Sequence, residues 1–124
     1  MRLGWIVGGL ALAVWPSAAH ADRADELTTI GEEQARVGDY TRAIVNFKQA
    51  DALRPRARTA CLIGLAYLRR ELWPQAELFL TRCQARANPD DLLPDWLPEA
   101  EALLSRKLGE VEVTRVTIAV ASVW

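Results

Sequence analysis

Histidine is nearly missing from this chain, and the one copy, His20, lies in a stretch expected to be removed. Without histidine there is no Ser–His–Asp or Cys–His arrangement for nucleophilic catalysis and no ordinary zinc cluster. The two cysteines, Cys61 and Cys83, lack the CxxC spacing of a redox or metal pair. Gly-rich phosphate loops and G-x-S-x-G turns are absent as well. Neither sign of charge dominates: 15 basic and 16 acidic residues leave a formal charge of −1. That balance argues against a footprint for nucleic acid or anionic lipid. No apolar run reaches the roughly 20 residues that cross a bilayer. The chain therefore reads as non-catalytic, with no cofactor, no metal and no nucleic-acid partner.

Carboxylates are the only acid–base groups left to weigh. Glu32 and Glu33 stand within helical reach of Arg36, which makes them surface ion-pair partners. Asp90 and Asp91 sit in a loop bounded by prolines and suit capping of the helix that follows. Glu99 and Glu101 are two positions apart and do not share a helix face. None forms a convincing catalytic pair.

What is present begins with a leader. Met1-Arg2 is followed by an uncharged apolar run from Leu3 to Trp15, then by Pro16-Ser17-Ala18 and an Ala19-His20-Ala21 cleavage pattern. Residues 1–21 read as a secretory signal peptide cut before Asp22, which places the protein outside the cytoplasm, in a bacterial periplasm or beyond. The alternative is an uncleaved anchor, and only then is the membrane a partner. Helical periodicity follows, with segments expected at 23–37, 40–53 and 57–70, from Trp73 to the Asn88-Pro89 break, and at 95–108. Gly38 suits a helix C-terminus, Asp39 an N-cap, Pro55 a stop and Pro74 a first helical position. Gly109 is expected to end the last helix. From Glu110 to Val120 the residues are β-branched and partly alternate, which predicts a strand with no ladder partner in the chain.

The strongest internal feature is a 33-residue echo. Ile30, Gly31, Arg36 and Ala43 return as Ile63, Gly64, Arg69 and Ala76, and Tyr40, Phe47 and Ala50 return as Trp73, Leu80 and Cys83. A period in this range marks stacked supersecondary units that cannot bury their apolar faces alone. Small residues belong where helices approach at about 8–10 Å, and bulky ones fill the space beside them.

These residues resemble the tetratricopeptide repeat family. Its small, small, aromatic, small and proline positions are met by Gly31, Ala43, Phe47, Ala50 and Pro55, and again by Gly64, Ala76, Leu80, Cys83 and Pro89. Leu80 in place of an aromatic and Trp73-Pro74 in place of the usual turn are departures, and the period is one residue short of the family's. The resemblance implies an all-α fold of antiparallel helix hairpins over residues 22–108, two units and a capping helix, with residues 109–124 as a strand-like tail. The run Leu108-Gly-Glu-Val-Glu-Val-Thr is more faintly similar to the start of a small β domain named for its Pro-Glu-Gly-Ala motif.

Function is implied in the same way. The family holds peptides in a concave groove lined by the first helix of each unit. Here that groove takes Asp25, Thr28, Glu32, Ala35 and Arg36 from one unit, and Arg58, Cys61, Leu65, Leu68 and Arg69 from the next. Arg36 and Arg69, one repeat apart, suit acidic groups or a C-terminal carboxylate. The expected role is protein recognition or scaffolding in the cell envelope, with a protein or peptide partner. A spacer presenting an absent β domain, or a membrane-tethered assembly factor, is the alternative. Because about three units are normally needed for independent stability, two predict a homo-oligomer or a longer parent protein. Cys61 and Cys83 leave two readings, a disulfide or two buried apolar fillers. The groove register turns the two away from each other and favours fillers.

Overall fold

The computed structural model describes the backbone of residues 15–123 and the side chains of residues 18–110. Most of the leader and the terminal Trp124 lie outside the described residues. The architecture is all-α: α1 (Trp15–Arg36), α2 (Tyr40–Leu53), α3 (Ala57–Arg69), α4 (Trp73–Arg86) and α5 (Leu97–Val123). α1 packs on α2 and α3 on α4; α2 packs on α3, and α5 closes the far side against α3 and α4. Among the described residues no helix is long and apolar enough to cross a membrane.

The α1–α2 turn follows from Gly38. Its φ of +84° lets the Gly38 amide donate to Ala35 O and the Asp39 amide to Gln34 O, satisfying the open carbonyls of α1. Asp39 then accepts from the Arg42 amide and caps α2. The same cap recurs 33 residues on. Glu71, with φ 60°, stands where Gly38 stands, and the Glu71 and Leu72 amides donate to Leu68 O and Tyr67 O. A non-glycine residue is held in the left-handed region here because the carbonyls of α3 need those donors. Pro74 then lies in the first turn of α4.

Two glycines set the spacing within the pairs. A Cβ on Gly31 would lie 2.6 Å from Phe47 Cε1, and one on Gly64 would lie 2.6 Å from Leu80 Cδ2 and 3.0 Å from the Leu80 backbone nitrogen. Ala43 and Ala76 have no exposure. The core runs as three clusters. Ala24, Leu27 and Ala50 pack together, and Ala43, Phe47, Ile63 and Phe79 bridge the two pairs. The largest gathers α3, α4 and α5 around Ala60, Cys61, Leu80, Cys83, Leu97 and Leu104.

Of the two readings open for Cys61 and Cys83, the disulfide holds, with Cα atoms 5.0 Å apart. Three sequence expectations are corrected, the first being the groove position of Cys61. Cys61 is fully buried among Ala57 and Ala60 on the α4 side of α3, so it lines no groove, and the small residues around it bring the two helices within bonding range. The strand-like tail is helical, since α5 continues through Gly109 to Val123. A strand needs a partner for its amides, whereas a helix satisfies them internally, and one interior glycine costs only about 1 kcal/mol. Finally, residues from Trp15 onward are already helical, ahead of the start expected near residue 23.

Candidate functional site

α1 and α3 lie side by side and enclose an open groove of about 340 Å³. Glu32, Ala35 and Arg36 reach it from α1, and Leu62, Leu65 and Arg69 from α3. Tyr40 and the edge of Phe47 complete the wall from α2. Five of the residues expected in the groove, Glu32, Ala35, Arg36, Leu65 and Arg69, are therefore brought together.

The other expected groove residues go elsewhere, each for a local reason. Thr28 is buried, and its hydroxyl donates to Ala24 O at 2.8 Å inside its own helix. Asp25 is exposed midway along α1 and faces Arg54 and Arg56 at 3.7 and 3.8 Å. Arg58 pairs with Glu32 across α1 and α3 at the edge of the groove. Leu68 is 4% exposed and belongs to the core beneath α5, where it meets a separate cavity between α3 and α5.

Electrostatics divide the two groove arginines. Arg36 is bound by Glu33 at 2.6 Å on its own helix, an exposed pair of small energetic value. Arg69 carries no ion pair or side-chain hydrogen bond among the described residues. The groove thus offers an apolar floor, one free guanidinium and one lightly held guanidinium. That arrangement can bind an apolar side chain together with an acidic group.

Three of the remaining carboxylates, Asp91, Glu101 and Asp51, are engaged structurally. Asp91 accepts from the Ala57 amide and caps α3 across 34 residues of sequence; it does not cap the helix after it. Glu101 accepts from Gln84 at 2.6 Å. Asp51 holds Arg86 at 2.6 Å, and Arg86 also reaches Arg56 O, tying the ends of α2 and α4 to the loop before α3. Among the described residues no group of three or more histidine, cysteine, aspartate or glutamate side chains is arranged for a metal.

Sequence reasoning missed Tyr40, Leu62 and Phe47 as groove walls. Tyr40 and Phe47 sit on the second helix of their pair, and only the packing angle shows that they reach past α1. Comparison with family models, with curated proteins and with solved structures returns no match to this chain.

Proposed function

We propose that this chain is an exported, non-catalytic recognition module of the cell envelope, built from two tetratricopeptide-like units and a closing helix. It holds a peptide segment of a protein partner in the α1–α3 groove. The observation that carries this reading is the placement of Arg36 and Arg69, 33 residues apart, on one apolar groove of about 340 Å³. The recurrence of the left-handed cap at Gly38 and Glu71, and of the glycine contacts at Gly31 and Gly64, supports the repeat architecture.

Export is supported by two features. The buried Cys61–Cys83 bond belongs to an oxidising compartment. Cleavage after Ala21 leaves the described core whole, because Ala24 is the first buried residue among the described side chains of α1. N-terminal sequencing of the exported protein tests this part, and a start at Asp22 is expected.

The recognition reading is tested by a double change, Arg36→Glu with Arg69→Glu. Both side chains are exposed, so the fold is expected to survive. Protein starting at Asp22 is used to capture partners from envelope extract. The unchanged protein retains a partner that the double variant loses. Equal capture by both defeats the groove reading and leaves a spacer.

A further inference from the structure

A second and larger cavity, about 470 Å³, lies on the other side of α3, between α3 and α5. It shares Leu65 and Arg69 with the α1–α3 groove, so the two adjoin along the C-terminal half of α3. Leu65, Leu68 and Leu103 make its wall apolar, and Trp96 stands in it at the start of α5. Its rim carries Arg69 and Arg106, both exposed.

Charge decides the occupant. Arg36, Arg58 and Arg86 are each held by a carboxylate, whereas neither Arg69 nor Arg106 has an ion pair or side-chain hydrogen bond among the described residues. The one carboxylate lining the cavity, Glu99, leaves the rim net positive. Two free guanidiniums above an apolar floor match a ligand with an apolar side chain next to a negative charge. The indole of Trp96 adds a flat surface for that side chain, and each guanidinium presents a planar fork for a carboxylate. Adjacency to the first groove, across the shared Leu65 and Arg69, favours an extended ligand over a compact one.

We infer that the α3–α5 cavity is the anchor pocket of the recognition surface. It takes a bulky apolar side chain of a peptide while Arg69 and Arg106 bind a neighbouring carboxylate. This rests on the peptide-binding reading above and goes further by naming the partner's chemistry: an acidic segment bearing an aromatic or leucine-like residue.

The test is selection of random linear 12-mers displayed on phage against the purified, disulfide-bonded full chain. An enriched sequence is then synthesised and its affinity measured by fluorescence anisotropy. Enriched sequences are expected to place Leu, Ile, Phe or Trp within three positions of Asp or Glu. Arg106→Glu is expected to weaken the selected peptide at least about ten-fold, about 1.4 kcal/mol. Leu103→Ala is expected to weaken it as well, with circular dichroism as the check on its fold. Arg106 is exposed, so its variant keeps the test decisive even if Leu103→Ala disturbs packing. Peptides that respond to Arg36→Glu and not to Arg106→Glu overturn the anchor pocket and leave the α1–α3 groove standing. Basic or charge-free consensus sequences overturn it too. No enrichment at all defeats both readings.

Discussion

Gly31 and Gly64 occupy corresponding places in the two helix pairs, yet they meet different surfaces. Over Gly31 the three nearest atoms all belong to the ring of Phe47, the closest two 2.6 and 2.7 Å from an added Cβ. Over Gly64 lies Leu80, including its backbone nitrogen at 3.0 Å. The first pair is wedged by a large side chain, and the second brings two backbones into contact. The second is also bonded through Cys61 and Cys83, on the same face of α3. Replacing an aromatic with leucine in the second unit thus goes with a closer approach and a covalent tie. An aromatic wedge and a disulfide are two solutions to one problem, holding a short pair of helices together with few neighbours to lean on.

The contrast breaks most sharply at the wedge. Phe47 is 1% exposed and belongs to the cluster that bridges the two pairs. Phe47→Ala is expected to cost about 4 kcal/mol, read as a shift in urea midpoint. Leu80→Ala is expected to cost less, because the disulfide still closes the second pair.

Reduction of the Cys61–Cys83 bond is expected to cost about 3 kcal/mol, by releasing the loop it closes in the unfolded chain. Amide hydrogen exchange of oxidised and reduced protein locates the effect. Protection is expected to fall in α3 and α4 and to hold in α1 and α2. A uniform fall across all four helices means the pairs open together and the contrast is only local.

The glycines themselves come next. Gly64→Ala is expected to cost about 2 kcal/mol, since a backbone atom cannot swing aside. Gly31→Ala is expected to cost about 1 kcal/mol, because a ring can shift and alanine recovers helix propensity. Equal losses in urea melts defeat the distinction between wedge and backbone contact.

The smallest effect sits in the turns. Glu71→Gly is expected to stabilise by about 1 kcal/mol and Gly38→Ala to destabilise by a similar amount, both by thermal melt. Opposite signs at positions 33 residues apart indicate that the two turns are one device filled by different residues.

Much of the fold was legible along the chain, for reasons that are local. Gly38, Asp39, Pro55 and Pro74 act on their own backbone neighbourhood, so the ends of α1, α2 and α4 could be read directly. The stripe of Gly31, Ala43, Gly64 and Ala76 announced close approach because nothing else fills those places. Glu71 gave no such signal. Its left-handed backbone is imposed by the carbonyls ending α3 and not by its own preference. The tail misled because β-branched residues favour strands only where a ladder exists, and α5 continues through Val123 without one. The disulfide was obscured by a register that turned Cys61 toward a groove. Its true face depends on how α3 is rotated against α4.

The site was half legible. Arg36, Leu65, Glu32 and Arg69 share a face by helical spacing alone, and the groove contains all four. Thr28 and Leu68 share that spacing and are buried, because the neighbouring helices cover them. Arg106 and Trp96 join Arg69 only through the way α5 crosses α3, across more than 25 residues of chain.

By itself, the chain of residues determined the helix pairs, their turns and the places where helices must touch, since these follow from side-chain size and backbone preference over a few positions. Tertiary structure decided how the cysteines face each other, which arginines lack an ion pair among the described residues, and where the cavities open. Those depend on rotation and crossing angle between helices, quantities set by the packing of the whole core.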